Sequence, residues 1–223
     1  MTSQNLHPFK PLDLGTSNRA ELFRLFRGFE QPHYAITTRL DVTRLIRDHV
    51  SQGASSYRAL LFAFGCATNA VPQFRTRFDG DGAVVYDVVD VSTTVPTPDG
   101  SFWFSDFAFD PHWPTFDRIA VEALDRPTVP IAENGERRDV IYFSCLPWID
   151  VQSMTHAVSG PDDDIPRISW GRIVPAGTGY EVSCTVAVHH ALVDGSHIGD
   201  LTRHIQDVLE TTDFRAGVSH GAE

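Results

Sequence analysis

The stretch from residue 179 to residue 210 constrains the fold more than any other part of the sequence. Residues 179–190 alternate between apolar and polar side chains, and this period of two predicts a strand. Residues 196–210 have apolar side chains at helical spacing, which predicts an amphipathic helix. The chain must therefore turn from a long strand into a helix within residues 191–195. This favours a fold in which strands and helices pack together.

The turn between these two elements carries the best candidates for chemistry. His190 falls on the apolar face of the strand, whereas His189 falls on the opposite, polar face. Burial of His190 would favour its neutral form, which is the form that a general base needs. Asp194 can cap the following helix or pair with a cation, and Gly195 permits a tight turn. A histidine that ends an apolar face is more often an ordinary core residue, but the spacing to Asp194 and Gly195 favours a functional one.

The rest of the chain predicts strands and helices without a regular βαβ alternation, which indicates an α+β sandwich built on a mixed sheet. Helices are expected at 19–29, 43–49, 55–71, 115–124 and 196–210, the first of them capped by Thr16 or Ser17. Strands are expected at 34–42, around 78–90, and at 101–107, 140–145, 165–174 and 179–190, with a polar loop at 151–164. We predict a single domain over residues 1–223, with a polar, frayed tail at 211–223.

Composition narrows the possible functions. The formal charge of −11 argues against a general affinity for nucleic acid or for anionic membranes. The three cysteines are widely spaced and odd in number, so we expect reduced core residues rather than disulfides. No secretory signal and no bilayer-length apolar run is visible, so we expect a cytoplasmic protein. His189 and His190 point to opposite faces, so no metal site is expected there.

Two short motifs carry a resemblance to a known family. The string HHALVDG, residues 189–195, resembles the signature of the chloramphenicol acetyltransferase family and, more distantly, those of dihydrolipoamide acyltransferases and condensation-type acyltransferases. The string YFSCLPW, residues 142–148, resembles the S-x-L-P-W segment of the same family. The resemblance extends from about Leu12 to Leu209. It implies a two-layer fold with helices on one side of the sheet, acetyl-CoA as co-substrate, and a homotrimer with active sites at the subunit interfaces.

The resemblance also implies roles for individual residues. His190 would be the general base, and the hydroxyl of Ser144 would hold the oxyanion of the tetrahedral intermediate. Arg19 would form a buried ion pair with Asp194 and so fix the turn that presents His190. A strand-end serine bonded to nearby backbone and a solvated helix-face arginine are the alternatives for Ser144 and Arg19.

The substrate-binding residues are weaker inferences from the same resemblance. Ser169 would help to organise water in the transition state, and Trp148 and Arg172 would lie on the coenzyme side, although a purely structural role is an equal alternative for both. The residues expected on the acceptor side are Phe26, His33, Tyr34 and Phe104. Phe26 stands where the family usually has a tyrosine, and the segment around His33 and Tyr34 also departs from the family pattern. A phenylalanine cannot supply the hydrogen bond of a tyrosine hydroxyl.

Three functional hypotheses follow. The first is a CoA-dependent O-acetyltransferase that transfers acetyl from acetyl-CoA to a hydroxyl of chloramphenicol, and so inactivates this antibiotic. The second keeps the chemistry and changes the acceptor to another hydroxyl or amine in secondary metabolism. The third is a non-catalytic protein on the same fold that binds a small ligand, for which we would expect the site residues to be eroded.

Overall fold

A computed structural model describes residues 6–15, 19–126 and 137–215. Its helices are α1 (Ala20–Arg27), α2 (Ser56–Ala70), α3 (Trp113–Asp125) and α4 (Gly195–Thr211). Its strands are β1 (Phe9–Pro11), β2 (His33–Asp41), β3 (Thr76–Asp79), β4 (Gly82–Tyr86), β5 (Asp90–Pro96), β6 (Phe102–Phe107), β7 (Val140–Cys145), β8 (Arg167–Ala176) and β9 (Gly179–His189). Short helical turns occupy Leu45–His49, Val50–Gln52 and Pro72–Arg75. The predicted caps Thr16 and Ser17 lie outside the described residues.

Six strands form the main sheet, in the order β2-β9-β8-β7-β5-β6. Strand β7 runs parallel to β5 and to β8, and the other neighbours are antiparallel. The predicted α+β class with a mixed sheet is therefore confirmed. A second sheet, β1-β4-β3, has three strands. The sequence analysis anticipated neither β1 nor β5, of which only Asp90 fell within a predicted strand. Strand β5 is rich in buried polar residues and lacks apolar alternation.

The hydrophobic core lies between one face of the main sheet and the helices α2, α3 and α4. Alternate residues of β9, such as Val182 and Val186, are at most 1% exposed on this face. Helix α2 is apolar around most of its surface and is buried along most of its length, as predicted for residues 55–71. Helix α4 buries a stripe that includes Leu201 and Ile205. The two-layer arrangement predicted from the resemblance is confirmed.

The polar face of β9 is also buried, which period-two alternation alone does not predict. The polar loop at 151–164 lies within a longer segment, residues 149–165, which covers this face. His189 Nε2 donates to the Pro161 carbonyl at 2.9 Å, and His33 Nε2 lies 2.6 Å from the Asp163 carbonyl. Three ion pairs hold the same segment, namely Asp162 with Arg27, Asp163 with Arg167 and Asp164 with Arg138. The loop is thus a fixed cover over the sheet.

The C-terminal segment differs from its prediction as a frayed tail. Helix α4 continues to Thr211, and Phe214 is completely buried against the rings of Phe62, Trp113 and His49. The prediction of a frayed tail is therefore wrong for residues 211–215, because one aromatic side chain anchors this polar stretch. Residues 216–223 lie outside the described part of the chain. Within the described ranges, none of the helices has the length and apolar character that a membrane crossing requires.

Candidate active site

The ring of His190 is held between two aromatic side chains just beyond the end of β9. Its backbone N–H donates to the Pro32 carbonyl at 3.0 Å, which continues the pairing between β9 and β2 by one residue. The Phe26 ring stacks on the imidazole with 3.9 Å between ring centroids and an angle of 8°. The Tyr34 ring contacts the imidazole at 4.6 Å and an angle of 41°. These contacts fix the plane of the imidazole.

Only one nitrogen of His190 can face a ligand. Nδ1 is buried and lies 3.4 Å from Asp194 Oδ1, and no described residue forms a hydrogen bond with it. The side chain as a whole is 35% exposed, so a proton acceptor open to a ligand has to be Nε2. The burial expected for His190 is therefore only partial in the single chain. Strand β9 ends at His189, and the turn carries the next ring out of the apolar face.

Arg19 fastens the turn that presents His190. Its Nη1 donates to Asp194 Oδ2, and its Nη2 donates to the carbonyls of His190 at 3.3 Å and of Ala191 at 3.2 Å. The two charged side chains are 17% and 28% exposed, so this ion pair is partly rather than fully buried. The pairing expected from the resemblance is thus present. It joins the start of α1 to the turn before α4.

Asp194 is the N-cap residue of helix α4, as predicted, and it forms a capping box with His197. The backbone N–H of Asp194 donates to Nδ1 of His197 at 2.9 Å. Burial and the nearby Arg19 lower the pKa of His197, which keeps that nitrogen free of a proton. Gly195 does not have a positive φ, and a Cβ at this position would meet no atom within 4 Å. The tight turn predicted at Gly195 is therefore not what requires a glycine here.

Tyr34, whose ring contacts His190, is engaged with the protein. The same is true of His33 and His189, whose rings contact each other. The Tyr34 hydroxyl donates to the Val193 carbonyl at 3.2 Å, and burial together with Asp194 raises the Tyr34 pKa to about 12. His33 bonds the cover segment, as described above. His189 accepts from the Ala191 N–H at Nδ1 while it donates from Nε2 to the cover segment. Burial and the neighbouring His33 lower the pKa of His189 to about 4, so it stays neutral and structural.

A second group of site residues forms one row across the polar face of the main sheet. Ser144 on β7 pairs in register with Ser169 on β8, which pairs with Thr185 on β9. Thr93 pairs with Phe143, so the next residue of β5, Thr94, lies on the same face as Ser144, and Thr94 pairs with Phe104 on β6. Phe104, Ser144 and Ser169, which the sequence analysis had assigned to the substrate site, therefore share one row.

Ser144 is available for chemistry. Among the described residues, none forms a hydrogen bond with its hydroxyl, so the alternative of a serine bonded to nearby backbone is not what the structure contains. Ser144 lines a cavity of about 940 Å³ together with Trp148 and Arg172. Trp148 is 64% exposed, which leaves its indole free to contact a ligand rather than to pack in the core. The structure thus places the two residues expected on the coenzyme side, Trp148 and Arg172, in the same cavity as Ser144.

The sequence analysis missed two residues that line the cavities. Tyr57, in the first turn of α2, lines the cavity of 940 Å³ and bonds Thr93 at 2.8 Å between hydroxyl oxygens. Burial raises the pKa of Tyr57 to about 12. His156 lines a separate cavity of about 300 Å³ beneath the cover segment. Tyr57 was hidden in an apolar helix pattern, and His156 lies in a loop that has no periodic signal.

His190 and Ser144 do not meet within one chain. Ser144 is level with Thr185 two strands away, and His190 lies five residues farther along β9. Strand spacing of ~4.8 Å and a rise of ~3.3 Å per residue put their Cα atoms roughly 19 Å apart. The chain therefore carries two half-sites. The base half-site contains His190, Phe26, Tyr34, Arg19 and Asp194, and the hydroxyl half-site contains the row with Ser144 and its cavity.

The fold is that of the CoA-dependent acyltransferases. The structure matches a solved chloramphenicol acetyltransferase with a TM-score of 0.82 and 24% identity, over 91% of this chain and 100% of that one. It also matches a probable dihydrolipoamide acetyltransferase from Listeria monocytogenes with a TM-score of 0.66 and 12% identity, over 92% and 95% of the two chains. A family model described as chloramphenicol acetyltransferase matches residues 7–206. The chain belongs to the chloramphenicol acetyltransferase family.

Sequence relatives agree with this assignment. A chloramphenicol acetyltransferase of Streptomyces acrimycini is 28% identical over 89% of this chain and 93% of its own length. One of Campylobacter coli is 26% identical over 90% of this chain and 98% of its own. The predicted family and the predicted acyltransferase class are confirmed. Nowhere in the described part of the chain do three or more histidine, cysteine, aspartate or glutamate side chains come together as metal ligands would.

Proposed function

We propose that the protein transfers an acetyl group from acetyl-CoA to a hydroxyl of chloramphenicol, and that each active site is completed by two copies of the chain in a homotrimer. The observation that carries this proposal is the separation of Ser144 from His190 on one sheet. Each half-site holds part of the machinery for acyl transfer, and neither holds all of it. Family membership supports the choice of acetyl-CoA and chloramphenicol as substrates.

His190 acts as the general base in this proposal. Its Nε2 takes the proton of the acceptor hydroxyl as the oxygen attacks the carbonyl carbon of the acetyl thioester. Phe26 and Tyr34 hold the ring, and Arg19 and Asp194 hold the turn, so that Nε2 keeps one direction. Asp194 Oδ1 lies 3.4 Å from Nδ1 but does not form a hydrogen bond with it. Asp194 therefore has a supporting role and does not relay the proton.

Ser144 of the neighbouring copy stabilises the oxyanion. Its hydroxyl, which is not used by the described residues, donates to the carbonyl oxygen as the tetrahedral intermediate forms. The intermediate then collapses, the carbon–sulfur bond breaks, and the CoA thiolate takes the proton from His190. The products are the acetyl ester and free CoA, and both residues return to their starting state.

The cavity of about 940 Å³ is the proposed route of the acetyl donor. It extends from Ser144 past Tyr57 to Trp148, and its lining is mostly apolar, which suits the chain that carries the thioester. Arg172 supplies a positive charge to a donor that carries phosphate groups. Ser169 would order water beside the reacting centre, as the resemblance implies.

Exposed apolar side chains near the base half-site support the assembly. Leu25 and Phe29 lie on and just after α1, next to Phe26, and are 53% and 45% exposed in the single chain. Contiguous apolar side chains of this kind are typical of a surface that another subunit covers. The proposal places the enzyme in the cytoplasm, a compartment in which its free cysteines stay reduced.

Mixed subunits provide the decisive test. His190→Ala and Ser144→Ala chains are co-expressed with different tags, and trimers that carry both tags are purified. If each site takes His190 from one copy and Ser144 from its neighbour, one site in every mixed trimer is intact. The purified mixed trimers should then have about a third of the wild-type activity, and the unfractionated mixture of chains combined at random in equal amounts about a quarter. The readout is chloramphenicol-dependent thiol release from acetyl-CoA.

The two single-variant trimers are the controls. His190→Ala should show no acetyl transfer, and Ser144→Ala should keep a residual activity of about one part in 10² to 10³ of the wild-type rate. Mixed trimers that are no more active than the mean of the two controls would reject the shared site. A monomeric wild-type enzyme in sedimentation with full activity would reject it as well.

A different acceptor is the second candidate function, and one observation favours it. The base half-site presents no free phenol to a substrate, because residue 26 is a phenylalanine and the Tyr34 hydroxyl is bonded to Val193. Thiol release from acetyl-CoA with and without chloramphenicol, against a panel of alcohols and amines, separates the two candidates. Turnover of another acceptor at a higher kcat/KM than chloramphenicol would select the second.

A further inference from the structure

His156 reaches the hydroxyl row from the cover segment. Its Nε2 lies 3.3 Å from the hydroxyl oxygen of Ser169, which is itself only 2% exposed. Ser169 is the neighbour of Ser144 across one strand pair. The imidazole therefore lies roughly 8 Å from the oxygen that is proposed to stabilise the intermediate, given a strand spacing of ~4.8 Å. No other imidazole of the described residues bonds a member of this row.

The chemistry of this imidazole is that of a neutral hydrogen-bonding group. Burial lowers the pKa of His156, and the nearby Arg167 lowers it further. A neutral imidazole has one donor and one acceptor nitrogen. Ser169 occupies Nε2, and within the described chain no residue bonds Nδ1. His189 differs in this respect, because both of its nitrogens are occupied by the protein.

The surroundings of His156 form a small cavity of about 300 Å³. Its lining includes Tyr34 and Val188 from the strands and Val158 from the cover segment. Its lining combines apolar side chains with polar ones such as Gln31 and Arg167, so a ligand could make both kinds of contact there. Because His156 lies roughly 8 Å from the Ser144 hydroxyl, an acceptor of several atoms that is bound at Ser144 is long enough to reach it.

We propose that His156 determines acceptor specificity, because its free Nδ1 forms a hydrogen bond with a polar group of the acceptor other than the hydroxyl that is acetylated. This inference rests on the proposed function, since it assigns a role within the same site. The substrate class is an alcohol that carries a second hydrogen-bonding group, such as an amide or a nitro group, several atoms from its hydroxyl. A plain hydrocarbon alcohol leaves Nδ1 unpaired and is disfavoured.

Selectivity between two acceptors tests the assignment. The kcat/KM for chloramphenicol is divided by the kcat/KM for 3-phenylpropan-1-ol, whose only polar group is the hydroxyl. His156→Leu should lower this ratio about tenfold, the effect of losing one hydrogen bond of ordinary strength. His156→Gln keeps a side chain that can donate and accept, and it should retain most of the ratio. His112→Leu, at an exposed histidine before α3, is the matched control and should leave the ratio unchanged.

A binding measurement separates failure of this inference from failure of the proposed function. The ¹³C–¹H signal of the His156 ring, identified by its absence in His156→Gln, is followed while chloramphenicol is added to wild-type enzyme. A shift of this signal without turnover would retain His156 as a ligand-binding residue and reject the transfer proposal. Turnover with an unmoved signal and an unchanged ratio in His156→Leu would overturn the role of His156. An equal fall in kcat/KM for both acceptors in His156→Leu, together with a lower Tm, would also overturn it, because these results indicate a structural role alone.

Discussion

Replacing Arg19 with methionine removes the cation that fastens the turn after β9. Methionine keeps most of the side-chain length and the apolar stem, so the change is mainly one of charge and hydrogen bonding. The variant loses the ion pair with Asp194 and the two bonds to the carbonyls of His190 and Ala191. The structure predicts lower stability and a less ordered base half-site.

The magnitude follows from the degree of burial. Exposed ion pairs contribute about 0–1 kcal/mol, whereas breaking a fully buried pair costs about 3–5 kcal/mol. The side chains of Arg19 and Asp194 are 17% and 28% exposed, so an intermediate loss applies. With the two carbonyl bonds included, we expect Arg19→Met to lower the free energy of unfolding by about 3 kcal/mol. For a chain of this size this corresponds to a fall in Tm of about 6–12 °C.

A double-mutant cycle isolates the pair itself. Asp194→Asn leaves the carbonyl bonds of Arg19 in place and should cost less, about 2 kcal/mol. The double variant should cost little more than Arg19→Met alone, which gives a coupling energy of about 1.5 kcal/mol. Urea unfolding and thermal melts are measured at one subunit concentration, because oligomer assembly makes Tm depend on concentration. The kcat for thiol release should fall at least tenfold in Arg19→Met, because His190 is no longer held in one position.

Arg24 on the same helix is the matched control, because it is exposed and forms no ion pair among the described residues. Arg24→Met should change stability by no more than about 0.5 kcal/mol. Single effects that simply add in the Arg19 and Asp194 cycle would refute the reasoning. So would an Arg19→Met enzyme that is as stable and as active as Arg24→Met.

Four further predictions follow from the same structure. Ser144→Ala should lower kcat about 10²- to 10³-fold with no change in Tm, and an unchanged kcat would remove the oxyanion role. Trp148→Ala should raise the KM for acetyl-CoA several-fold and leave the melting curve intact, since the indole is 64% exposed. Phe214→Ala should cost about 3–4 kcal/mol of stability, whereas a truly frayed segment would lose nothing. The depressed pKa of His189, about 4 against an ordinary value of 6.5, means that stability is complete above pH 6.5 and falls by up to about 3 kcal/mol as pH drops towards 4. Urea melts should show a shallower pH dependence in His189→Gln, and an equal slope would contradict this assignment.

Most of the fold could be predicted because its elements have strong local signals. The alternation in β9, the helical spacing in α4 and the all-round apolar surface of α2 each follow from a single period. Strand β5 could not be predicted in this way, since its buried residues include Asp90, Ser92 and Thr93 and therefore show no apolar alternation. Asp90 and Thr93 form hydrogen bonds with groups elsewhere in the chain. The anchoring of Phe214 is likewise non-local, because its partners lie in α2, α3 and the turn at His49.

The candidate site shows the same contrast between features with a local sequence signal and features that depend on distant parts of the chain. Arg19, Asp194 and His190 could be placed together because the family motif links them, and the structure brings them into contact. The relation of Ser144 to His190 depends on the strand order of the sheet, which no local pattern contains. His156 could not be foreseen either, since its contact with Ser169 depends on how residues 149–165 cross the sheet.

The division of labour between the two half-sites has an evolutionary consequence. Two of the side chains that would meet the acceptor are Phe104, on the outer strand β6, and His156, in the irregular cover segment. The proposed base His190 and the pair that holds it, Arg19 and Asp194, lie at the ends of β9, α1 and α4. Mutations that reshape the first group leave the proton-transfer apparatus untouched. Under the proposed mechanism, descendants of one ancestral gene can therefore change their acceptor while they keep the residues that transfer the proton.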